Sequence, residues 1–164
     1  MKTNRPAPKV PSITEDGFRD PAQFPIDSVL KQALSDDRRE FQSAVSLLRS
    51  MYNYDRMEAG VFLIGLLLTC GDNWEKRRAI ATALFDVQTE VCVNVLFAEF
   101  KRVKHTNSTR RYLKEVIEVL SCMPPPLVLP GLEELLAESS LSPWMRAKVE
   151  SALSDLAYRR QHGY

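Results

Sequence analysis

The chain has 164 residues, and 22 Lys+Arg stand against 21 Asp+Glu for a formal net charge of +1 at pH 7. That length fits one domain able to bury its own core without a metal or a disulfide framework. The even charge balance supplies no global field to gather DNA or RNA, so strong nucleic-acid binding is not expected.

Residues 1–25 hold Pro6, Pro8, Pro11, Pro21 and Pro25, with Lys2, Arg5 and Lys9 and few apolar side chains. This composition predicts an extended arm, with Ile13, Phe18 and Phe24 as the residues able to pin it to a helical body or to a partner. It contains no apolar run of the kind that forms the core of a signal peptide.

From Ile26 to about residue 160 the pattern is helical, and residues 161–164 read as a short tail. Val29, Leu30, Ala33 and Leu34 form one stripe, which predicts a helix over 27–35. Asp37, Asp55 and Asp72 each precede a Glu by three residues (Glu40, Glu58 and Glu75), the signature of a capping box. Ser142-Pro143 places a capping hydroxyl before a proline at the first helical position. The remaining helices are predicted near 38–52, 55–70, 73–87, 90–104, 108–122, 127–138 and 143–159. Turn residues separate them, among them Asn53, Gly71-Asp72, Thr106-Asn107, Pro124-Pro125-Pro126 and Ser139-Ser140. No segment alternates with period two, so strands are not expected. Ala59–Cys70 is the most apolar stretch; it is too short for the ~20 residues of a membrane helix and is read as a helix buried on most sides.

Four of these segments share one pattern. Arg38, Arg77, Arg110 and Arg146 each precede apolar residues three, seven and ten positions later: Phe41, Val45, Leu48; Ile80, Leu84, Val87; Leu113, Ile117, Leu120; Val149, Leu153, Leu156. The sixth position is small or β-branched in each case: Ala44, Ala83, Val116 and Ala152. These offsets share one helical face. The arginines lie 39, 33 and 36 residues apart, a period that corresponds to one helical hairpin per repeat. A lone hairpin cannot cover its apolar faces on both sides, whereas a stack of hairpins can.

In this pattern the chain resembles the HEAT-like repeat family, including its lyase-type, armadillo-like members. Glu75-Lys-Arg-Arg-Ala-Ile-Ala-Thr-Ala-Leu84 is similar to the family's first helix, and Val128-Leu-Pro-Gly-Leu-Glu-Glu-Leu-Leu136 to its second. The resemblance covers roughly residues 38–159 and departs from the family where Ala59–Cys70 is unusually apolar. It implies an all-α fold: a short right-handed α-solenoid of about four HEAT-like hairpins preceded by the extended N-terminal arm. Such repeats serve many partners, and the resemblance is nearly silent on function.

The chemistry-bearing residues are few. His105 sits among Lys101, Arg102 and Lys104, cations that disfavour a proton on its ring, and His162 lies in the terminal tail. Cys70, Cys92 and Cys122 have neither metal-ligand nor disulfide spacing and fall within apolar helices, which fits a reducing, cytoplasmic location. The acid pairs Asp36-Asp37 and Glu133-Glu134 point about 100° apart on a helix. No glycine-rich phosphate loop occurs. No catalytic, metal or cofactor site is therefore expected.

The expected function is a protein-interaction module of adaptor, scaffold or inhibitor type, acting through the groove formed by helices 55–70, 90–104 and 127–138. Asn94, Lys101, Arg102, Glu133 and Glu134 are the polar positions expected to face another protein. Lys101, Arg102, Lys104, His105, Arg110, Arg111 and Lys114 bracket one turn as a basic patch, next to an acidic ridge of Glu133, Glu134 and Glu138. Such a pairing suits charge-complementary docking. Trp74 and Trp144 occupy matching first-turn positions, either sealing the junction between repeats or anchoring a partner. The alternative is a small-molecule binder on the same scaffold, resembling the chromophore lyases of this family or a subunit of an enzyme.

Overall fold

The computed structural model describes residues 24–138 and 141–162. The arm predicted over 1–25 lies outside these residues except for Phe24 and Pro25. The described chain is all-helical: α1 (Ile26–Ala33), α2 (Arg38–Asn53), α3 (Met57–Thr69), α4 (Trp74–Ala83), α5 (Glu90–Arg102), α6 (Arg110–Cys122), α7 (Pro125–Ala137) and α8 (Pro143–His162). A single 3-10 turn, Leu84–Asp86, follows α4.

Local chemistry sets the helix ends. The Asp37 carboxylate accepts the N–H groups of Arg39 and Glu40 at 2.8 and 2.9 Å and so caps α2. The N–H of Asp37 itself donates to Ser35 Oγ, which leaves Glu40 no reciprocal role in the cap. Asp55 does not cap α3, contrary to its capping-box spacing. It sits in the left-handed region at φ 64°. There its N–H donates to Tyr52 O while that of Arg56 reaches Met51 O, both at 3.1 Å. This hydrogen-bond pair closes the C-terminus of α2 in the Schellman manner, so α3 begins only at Met57. Asn73, rather than Asp72, caps α4 by accepting from Lys76 N–H. Ser142 Oγ accepts from Met145 N–H at the start of α8, as its spacing predicts. α8 runs to His162, three residues beyond its expected end.

α2 packs on α4, α4 on α6, and α6 on α8; α3 lies against α2 and α4, α5 against α6 and α7, and α7 also against α8. The apolar face defined by the repeated pattern points into this body. Phe41, Val45, Leu48, Ile80, Leu84, Val87, Leu113, Ile117, Leu120, Val149 and Leu156 are all buried, as are Ala44, Ala83, Val116 and Ala152. Leu153 alone departs from the pattern and is half-buried on α8, the last described helix, although it still touches the core.

α3 is less enclosed than its composition suggests. Its buried side is Ala59, Gly60, Leu63, Leu66 and Leu67. Met57, Val61 and Leu68 on its other side are 57%, 68% and 56% exposed. The neighbours of α3 are α1, α2, α4 and the 3-10 turn, and the buried strip is what they reach. Among the described residues, no helix is long and apolar enough to cross a membrane.

Candidate functional site

Three places concentrate chemistry. The first lies inside. Arg77 of α4 and Glu99 of α5 are buried together as an ion pair, with 3% and 4% of their side chains exposed. Tyr112 of α6 donates its hydroxyl to Glu99 Oε2 at 2.9 Å, and Arg102 reaches the same carboxylate from the surface at 3.0 Å. Arg77 also donates to the Gly71 carbonyl and lies over the rings of Trp74 and Tyr112. Burial raises the Tyr112 phenol, and the neighbouring Glu99 charge and its hydrogen bond add to the effect. The cluster is satisfied, since no buried side-chain polar atom among the described residues lacks a partner. It ties three helices together rather than presenting a reactive group.

The second place is the expected charged surface. Lys101 Nζ lies 2.7 Å from Glu134 and 3.9 Å from Glu138, so the basic patch and the acidic ridge meet across α5 and α7. The hydrogen bond that Lys101 donates to Glu134 raises its ammonium above the usual range. Arg102 is engaged by Glu99, and Lys114 by Glu118. Lys104, His105 and Arg111 are exposed, with His105 packed edge-on against Phe100 at 5.2 Å between centroids. Glu133 and Asn94 are exposed on α7 and α5. Trp74 is half-buried 5.8 Å from Tyr112, and Arg110 stacks 4.2 Å over the ring of Trp144. Both tryptophans thus join successive members of the α4–α6–α8 row. A cavity of about 420 Å³ opens beside the second of them, lined by His105, Asn107, Arg110 and Trp144 among others.

The third place was hidden in the sequence. Met57, Val61 and Leu68 share one open side of α3. A methyl group added at Gly65, between Val61 and Leu68, meets nothing within 4 Å. The sequence Met57–Thr69 is apolar all round, so no periodicity marks which side lies inside.

Nucleophilic chemistry has little support at any of these places. Burial pushes the Cys92 thiol up to about 12 and also raises Cys70, which keeps both protonated at neutral pH. Among the described residues, no group of three His, Cys, Asp or Glu side chains is placed to hold a metal ion. No family model, curated protein or solved structure matches the chain.

Proposed function

We propose that this chain is a protein-interaction module, a short stack of HEAT-like hairpins that docks another protein on the open side of α3. The exposed Met57, Val61 and Leu68 carry this reading. Clustered large apolar residues on the surface of a folded domain mark interaction sites more often than scattered ones do. The row α2–α4–α6–α8 supports the stacked arrangement. So does the recurrence of polar contacts one repeat apart: Asn53 to Asp86, Thr82 to Glu115 and Lys101 to Glu134 each span 33 residues.

In this reading the exposed Lys104 and Arg111 orient an acidic partner and speed encounter, while the apolar side of α3 supplies affinity. Lys101 and Arg102 are held by acids of the same chain and contribute less than their charge suggests. The three free cysteines suit a module working in the reducing cytoplasm.

The test compares proteins recovered by the wild type, by Val61→Glu with Leu68→Glu, and by Lys101→Glu with Arg102→Glu. A partner retained by the wild type and by the second variant but lost by the first is the expected result. Equal recovery by all three would remove the α3 side from consideration. Both substituted α3 positions are exposed, so circular dichroism should report an unchanged fold.

A further inference from the structure

We propose that the cavity between the α5–α6 connection and the start of α8 binds a monocarboxylate with a small apolar body, with Arg110 holding the carboxylate. The site is separate from α3 and does not rest on the docking reading.

The cavity measures about 420 Å³, a size typical of small-ligand sites. Both of its walls are fixed by hydrogen bonds. On one side, the buried Thr109 hydroxyl donates to the Lys104 carbonyl at 2.6 Å and accepts the Thr106 N–H at 2.9 Å. These bonds set the turn that carries His105 and Asn107. On the other side, Arg146 donates to the carbonyls of Leu136 and Glu138 at 2.7 and 2.9 Å. That pins the first turn of α8, where Trp144 stands. A preformed site binds with little ordering cost.

The chemistry of the lining is one-sided. Arg110, Asn107 and His105 supply N–H donors, and no Asp or Glu is among the described lining residues. The nearby Lys101, Arg102 and Lys114 are each held by an acid of the same chain. Arg110 instead lies 4.2 Å over the Trp144 ring, the shortest cation–ring distance among the described residues. The ring steadies the guanidinium and leaves its fork of N–H groups free of any acid among the described residues. A planar carboxylate fits that fork with two parallel hydrogen bonds. One permanent cation in the lining matches the single charge of a carboxylate better than the near-double charge of a phosphate monoester. Leu113 and Met145, only 0% and 3% exposed, add apolar wall for an organic body to cover. Two sources carry this chemistry: a free organic acid, and the last residue of a peptide with its terminal carboxylate.

The experiment titrates the full, isotope-labelled chain with phenylpropionate and with the peptide Ala-Ala-Phe, each against its own carboxamide. Backbone amide and indole N–H signals are followed by NMR. The expected result is saturable shifts at Asn107, Arg110 and the Trp144 indole with at least one carboxylate. The matching amide should leave them unmoved, and the Trp74 indole should stay still throughout. Response to the acid, to the peptide or to both then identifies the source. Arg110→Gln should weaken binding by about tenfold or more, as loss of charge-assisted hydrogen bonds does. Arg111→Gln, on an exposed neighbour outside the lining, should leave it unchanged. No saturable shift with either carboxylate, equal shifts from acid and amide, shifts centred elsewhere, or equal binding by folded Arg110→Gln would each overturn the proposal. The comparison of acid with amide on the wild type decides the matter even if Arg110→Gln does not fold.

Discussion

Glu99 receives three donors at once: the guanidinium of buried Arg77, the hydroxyl of Tyr112 and, from the surface, Arg102. An isolated buried carboxylate is strongly disfavoured, and removing one member of a buried pair leaves the other charge stranded. Glu99→Ala is therefore expected to lower unfolding free energy by about 3–5 kcal/mol in urea titration. Tyr112→Phe, which leaves both arginines in place, should cost only about 1 kcal/mol. Nothing in the sequence singles out Glu99, since its partner Arg77 is 22 residues away and burial of an acid has no local signature. Asp86 makes a second test at this scale. Hydrogen bonds from Arg49 and then Asn53 outweigh partial burial and hold its carboxyl below the usual range. A carboxyl whose folded pKa is depressed contributes stability above its unfolded value, near 3.9, and loses that contribution as pH falls through the lower folded value. Relative to Asp86→Asn, the wild type should be more stable at neutral pH, and the advantage should shrink as pH falls below the unfolded carboxyl value and vanish once the folded carboxyl is protonated.

At the scale of elements, apolar periodicity marked the helices that present one greasy face. All eight helices fall within a few residues of their expected bounds, and the faces following Arg38, Arg77 and Arg110 lie in the core. The signals that failed are those whose meaning depends on the neighbouring element. Asp55 has a capping-box spacing, yet the end of α2 claims it first. α3 is apolar on every side, so its composition predicted burial where Val61 and Leu68 are open. Leu153 has the right offset but is only half-buried on α8. Leu113→Ala and Ile117→Ala are accordingly expected to cost about 2–5 kcal/mol by denaturant unfolding, and Leu153→Ala distinctly less. The glycines of α3 and α7 separate in the same way. A Cβ at Gly65 enters open space, so Gly65→Ala should stabilise by about 0.5–1 kcal/mol. At Gly131 it would meet the Phe97 ring at 2.5 Å, so Gly131→Ala should lower the melting temperature.

Across the whole molecule, the all-helical class and the meeting of basic and acidic surfaces were legible in the sequence. Lys101 and Glu134 do come together, but as partners of each other. That self-pairing shifts the candidate surface from the charged turn to the uncharged side of α3, which had no charge pattern to reveal it. In the proposed reading, a partner docks on the exposed apolar side of α3. Hydroxyl-radical footprinting of the chain, free and bound to its captured partner, tests this most directly. Oxidation at Met57, Val61 and Leu68 should fall on binding, while Tyr158, exposed on α8, reacts as before. Unchanged labelling of those three α3 residues alongside clear protection elsewhere would contradict the account.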